Sequence, residues 1–230
     1  MGKRPKFYFS LRSPYSWLAL HDLLRDAPDV ADAVDWAPFW EPDERNDEAL
    51  RARGEQFPYV AMSRAKHLYI LQDVARLAAA RGLSVTWPVD REPVWEVPHL
   101  GYLVAERAGL GREYISEVCS ARWRHGLDIC DRATVAGIAS RLGLDADEVA
   151  GASDDPELRA RGVELLVDLC RDGVFGVPFF VHRFTRFWGV DRLPEFVAHV
   201  RSKLAPAGAL PEPVAAHPDS SEAGHAGGCG

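Results

Sequence analysis

The aromatic run Lys6-Phe7-Tyr8-Phe9-Ser10 gives way within three residues to Ser13-Pro14, so that a strand feeds directly into a helix start. Aromatic residues in a run of this length favour a pleated, buried strand. The serine hydroxyl suits an N-cap, and proline fits the first helical turn because its fixed φ and missing N–H cost nothing there. The helix runs to about residue 25, with Leu18, Leu20, Leu23 and Leu24 on its apolar face. Residues 34–40 read as a second strand ended by the Glu41-Pro42 turn. A crossover of this length joins parallel strands.

Two strands cannot close a sheet, and the remaining β signals lie far away, at residues 177–182 and 186–188, before a last helix over about 192–203. Between the two ends stand more than a hundred residues of helical pattern. Ser63 can cap a helix over residues 64–81 that Gly82 stops, with Leu68, Leu71, Val74, Ala75 and Ala78 at helical spacing. An extended piece at 83–87 precedes helices at 99–108, 112–124, 132–142, 145–151 and 156–171. The order β-α-β, helices, β-β-α describes an α/β domain with a large helical insertion. Residues 1–45 and 173–204 are expected to form the sheet domain and 46–172 the insertion. Residues 205–230, rich in Pro, Ala, Gly and Ser, are expected to be a disordered tail.

Composition narrows the function. The 230 residues are 47% hydrophobic with a formal charge of -7, which argues against a general nucleic-acid or anionic-membrane binder. No apolar run approaches the roughly 18 residues of a membrane span. The N-terminus lacks the apolar stretch of a secretory signal, so the cytoplasm is the expected compartment. Of the four cysteines, none is spaced as C-x-x-C, which argues against dithiol exchange and against paired zinc ligands. Cys119, Cys130 and Cys170 are expected on helices of the insertion; His217, His225 and Cys229 are expected in the solvated tail, and no metal is expected. Trp36, Trp40, Trp87, Trp95, Trp123 and Trp188 read as core or cleft walls.

Three short constellations could carry chemistry. Ser13-Pro14-Tyr15-Ser16 sits where a helix N-terminus offers free N–H groups and the positive end of its dipole, a setting that stabilises a thiolate; the plain alternative is a helix start and nothing more. In Gly176-Val177-Pro178-Phe179, proline opens a strand; it is either an edge-strand proline or preceded by a cis bond that leaves the Val177 backbone facing outward. In Trp188-Gly189-Val190-Asp191, the aspartate can cap the last helix or hold a ligand ammonium group.

Taken together, residues 5–203 resemble the glutathione-dependent 2-hydroxychromene-2-carboxylate isomerases and the kappa-class glutathione transferases, of the DsbA-like branch of the thioredoxin fold. The resemblance rests on F-Y-F-S-L-R-S-P-Y-S-W-L-A, on V-F-G-V-P-F-F-V and F-W-G-V-D-R-L, and on Lys66, Tyr69, Asp73, Arg76 and Gly82 along the long helix. It implies a thioredoxin-like fold in which Ser13 donates a hydrogen bond to the sulfur of glutathione or another low-molecular-weight thiol. It further implies that Val177 and Pro178 meet the cysteinyl part, that Val190 and Asp191 take the γ-glutamyl end, and that Lys66 belongs to the same cofactor site. Arg12, Tyr15 and Tyr69 are the substrate-side candidates. The implied reaction is cis–trans isomerisation of a conjugated small molecule by thiolate addition, rotation and elimination. A thiol S-transferase, or a binding protein that has lost its thiol site, are the rivals. A second copy of the chain is the expected protein partner.

Overall fold

The computed structural model describes residues 4–58 and 62–204. The expected tail at 205–230, with His217, His225 and Cys229, lies outside the described residues. In chain order, β1 (Lys6–Phe9) runs into α1 (Pro14–Asp26), and the short α2 (Pro28–Ala33) turns the chain back into β2 (Asp35–Pro38). Next come α3 (Glu44–Arg51), α4 (Arg64–Ala79), α5 (Glu96–Arg107) and α6 (Gly111–Trp123). They are followed by α7 (Arg132–Arg141), α8 (Ala146–Gly151) and α9 (Pro156–Arg171). The chain then forms β3 (Phe179–His182), β4 (Thr185–Trp188), a 3-10 turn at Val190–Arg192 and α10 (Leu193–Leu204).

The two ends of the chain build one four-stranded sheet in the order β2-β1-β3-β4. β1 pairs with β2 in parallel and with β3 antiparallel, Tyr8 lying opposite Phe179. This is the DsbA-like thioredoxin arrangement of an α/β fold carrying helices between its halves. Alternation along β1 gives the sheet two different faces. On one, Phe7 stacks on Phe180 at 4.8 Å, and Phe180 stacks in turn on Phe196 of α10 at 4.7 Å. On the other, the Tyr8 hydroxyl and Lys6 Nζ both donate to Asp172, at 2.5 and 2.8 Å, where α9 ends. Each fully buried phenylalanine contributes roughly 1.5–3 kcal/mol, so the aromatic stack is a principal tie between the distant chain ends.

Side-chain caps explain most helix starts: Ser13, Asp43, Ser63, Asp131, Asp145 and Asp155 each accept from an N–H of the turn they open. Periodicity misses α2 and α3. The first is six residues long, and the second is so polar that only Asn46 and Leu50 are buried.

Three sequence expectations are corrected. Leu68 and Ala75 do not lie on a buried face of α4; only Val74 and Ala78 are buried, because this helix touches its neighbours through its second half. Asp191 is not the cap of the last helix. It stands inside the 3-10 turn with its side chain 73% exposed, beside Arg192 at 3.7 Å. Cys130 lies in the turn before α7 rather than on a helix.

Candidate functional site

Ser10 to Ser13 form the link between β1 and α1, and each of their amides is occupied. Ser10 N donates to Ser16 Oγ (3.2 Å), Leu11 N to His99 Nε2 (3.1 Å), Arg12 N to Ser10 Oγ (3.3 Å) and Ser13 N to Ser10 O (3.0 Å). A loop so held has one geometry to offer. Ser13 Oγ then accepts from Ser16 N at 3.2 Å. A hydroxyl carries one proton and two lone pairs, so this bond leaves the Ser13 proton free to donate outward. Pro14 has no N–H, and the Tyr15 N–H has no acceptor among the described residues. The first turn of α1 contains no acidic residue to cancel the helix dipole. Two uncommitted donors thus stand at the positive end of one helix, a setting that favours an anion.

The sheet register brings in the second constellation. The Tyr8–Phe179 pair closes the β1–β3 ladder at the end where β1 leads into residues 10–13 and Val177-Pro178 leads into β3, and Gly189 N donates to Pro178 O at 3.0 Å. Residues 10–13, 177–178 and 189–191 therefore share one end of the sheet, and α1 packs against the 190–192 turn. The Val177–Pro178 bond is cis. The Val177 N–H and C=O make no hydrogen bond with any described residue. Gly189 has φ +105°, and a Cβ there would stand 2.5 Å from Asp191 Oδ1, so only glycine suits this bend. Val190 is buried beneath it.

The remaining candidates divide. Arg12 is exposed beside Ser13, donates to Glu41 at 2.7 Å and lies 5.2 Å over the Trp95 ring. Tyr15 and Tyr69 converge on Asp73 of α4, at 2.7 and 3.4 Å, and Arg76 joins them at 2.6 Å. Burial, reinforced by the bond to Asp73, raises the Tyr15 phenol well above its ordinary pKa, so it is a fixed donor rather than a base. Lys66 is exposed on the first turn of α4, where its N–H donates to Ser63 Oγ; its ammonium group bonds no described residue.

Sequence reasoning missed His99. It is fully buried on α5, stacked on Trp40 at 5.5 Å. An amide can only donate, so Nε2 accepts from Leu11 and the ring proton sits on Nδ1, which donates to Trp95 O at 2.7 Å. This neutral ring pins the Ser13 loop to the helical part of the chain. A histidine inside the apolar stretch Val97-Pro98-His99-Leu100 was the available signal.

None of the described cysteines is poised as a nucleophile. Burial pushes the thiols of Cys119 and Cys130 up to about 12, and burial and Glu55 raise that of Cys170. Among the described residues, no group of three or more His, Cys, Asp or Glu could hold a metal ion, and no helix is long and apolar enough to cross a membrane.

The profile of the DSBA-like thioredoxin domain matches residues 6–201. Among solved structures, a 2-hydroxychromene-2-carboxylate isomerase superposes with a TM-score of 0.69 at 22% identity, covering 86% of this chain and 95% of the other. The cytosolic disulfide reductase DsbM from Pseudomonas aeruginosa, solved with GSH, superposes with a TM-score of 0.58 at 18% identity, covering 87% and 98%. No curated protein matches the chain in sequence.

Proposed function

Since the chain belongs to the DSBA-like thioredoxin domain family, and since it carries Ser13 where the first helix begins, we propose that it works with an external thiol as a cis–trans isomerase of a conjugated small molecule. The observation that carries this reading is the uncommitted Ser13 proton at an acid-free helix N-terminus. There it would donate to the sulfur of glutathione or a similar thiol and favour its thiolate. The open Val177 N–H and C=O would pair with the thiol's peptide-like backbone beside Pro178. Val190, Asp191 and Lys66 would meet its charged end. That one structural neighbour was solved with GSH supports the choice of thiol.

In the reaction, the thiolate sulfur bonds to the far carbon of the conjugated double bond, and the π electrons move onto the conjugated carbonyl as an enolate. The former double bond is now single and rotates. The enolate electrons then re-form the double bond and expel the thiolate, so the thiol is returned unchanged. Arg12, Tyr15 and Tyr69 are the groups proposed to meet the substrate, with the Arg12 guanidinium suited to developing negative charge. The described thiols are unsuited to replace the external one.

The test is turnover of a conjugated cis substrate by dialysed protein, with and without glutathione. Activity should require the thiol, and Ser13→Ala should lower turnover by about ten- to a thousandfold while the protein remains folded. Thiol-free turnover, or an unimpaired Ser13→Ala variant, would sink the proposal. Release of a stable thiol adduct instead of free thiol would indicate an S-transferase.

A further inference from the structure

A groove of about 380 Å³ opens further along α1, between that helix and α6. Trp17, Leu20 and Leu24 of α1 form its apolar floor together with Leu83 from the segment after α4. Its rim is polar, formed by His21, Arg25, Ser116, Ser120 and Arg124. The Arg25 guanidinium lies 3.2 Å from His21 Nε2 and can only donate, so Nε2 accepts and the free Nδ1 carries the proton. Arg25 itself is neutralised by Asp26 at 2.7 Å. No carboxylate lines the groove; Asp22, the chain neighbour of His21, is committed to Arg81 at 2.6 Å, and Glu117, the neighbour of Ser116, to Arg141 at 3.2 Å. By contrast, the Arg124 guanidinium and the Ser120 hydroxyl, both on the rim, bond no described residue. The groove therefore combines an apolar floor with a rim whose one uncompensated charge is positive and whose spare groups donate.

We propose that this groove is a second binding site, for a small amphipathic carboxylate. The apolar body would lie on Trp17, Leu20 and Leu24, and the carboxylate would take the fork of Arg124, with Ser120 and His21 as supplementary donors. Guanidinium and carboxylate match in geometry as well as in charge, and an arginine without an intramolecular partner loses no ion pair on binding. A groove between two packed units of a fold is a common place for such a ligand. This site requires neither Ser13 nor a thiol and stands independently of the proposed reaction.

Octanoate, octylamine and 1-octanol are suitable probes, titrated calorimetrically into the full chain. Octanoate should bind once per chain, octylamine should not bind measurably, and 1-octanol should bind more weakly than octanoate. Arg124→Gln should weaken octanoate at least about tenfold, and added salt should weaken it in the wild type. Because Arg124 is exposed and its side chain bonds no described residue, the variant should melt as the wild type does. Leu24→Trp, which fills the floor, should remove octanoate binding by a second route. Comparable binding of octylamine, several octanoates per chain, no heat at millimolar octanoate, or unchanged affinity in Arg124→Gln would each overturn the proposal.

Discussion

A histidine ring enclosed on every side keeps its place only in the tautomer its neighbours dictate, and for His99 they dictate the neutral one. Burial, with lesser help from Arg122 and Arg12, holds its pKa down to about 3 against an ordinary 6.5. The sign of the consequence follows directly. Above pH 6.5 neither the folded nor the unfolded chain protonates this residue, and it adds no pH dependence. Below that, the unfolded chain takes up a proton that the native ring refuses, so stability falls with pH by up to roughly 1.4 kcal/mol per unit, down to about pH 3. Urea unfolding at pH 7, 5.5 and 4 should therefore show a steeper acid loss in wild type than in His99→Gln. Parallel pH profiles for the two proteins would show that the ring can be protonated in place. Ser13 was legible because a cap and a proline announce themselves locally; His99 was not, because its partners are the amide of Leu11 and the carbonyl of Trp95, which only the fold assembles.

At the scale of elements, α4 is the least secured. Its residues 64–69 are all exposed, including Leu68 and Tyr69 at 48% and 57%, and the Tyr15 bond to Asp73 is a side-chain tie between α1 and α4. Few buried contacts mean low local opening free energy. Hydrogen exchange followed by mass spectrometry should find residues 62–70 among the fastest helical amides, and α5, buried over most of its length, among the slowest. Tyr15→Phe should speed exchange in α4 further while costing the whole protein only about 0.5–1.5 kcal/mol. If α4 exchanges as slowly as α5, exposure has misled here. Helices with an Asp or Ser cap and a long apolar stripe could be read within a few residues. α3 could not, since its contacts are polar: Asn46 donates to Glu96 Oε1 at 3.2 Å, and Arg159 of α9 donates to Asp43 at 2.7 Å. Strand β3 begins two residues later than its pattern suggests, because the Val177 backbone is left out of the ladder.

For the molecule as a whole, the strand–helix order at both chain ends made the fold readable: an isolated β-α-β or β-β-α has too few strands, and joining the two ends solves both deficits. The chemistry at Ser13 was suggested by residue order, whereas the groove beside Arg124 depends on which helices pack together and left no trace in the sequence. The aromatic stack that joins the ends gives the matching prediction. Phe180→Ala, at a fully buried position, should cost about 3–5 kcal/mol in denaturant unfolding. Phe184→Ala, at 97% exposure on the β3–β4 turn, should stay within about 0.5 kcal/mol. Equal effects would place the stack outside the cooperative core.

The pairing of Tyr8 with Phe179 also has a timetable. The partners are 171 residues apart (179 − 8), so on a ribosome adding about 5–20 residues per second β1 waits roughly ten to thirty seconds for β3 to be made. Throughout that wait Phe7 lacks the Phe180 ring on which it stacks, with only Trp36 of the early chain beside it and Phe9, while the helices between can begin local folding as they emerge. The nascent protein is thus a helical body trailing a sticky aromatic strand. It is in this interval, rather than after completion, that a chaperone would have most to protect.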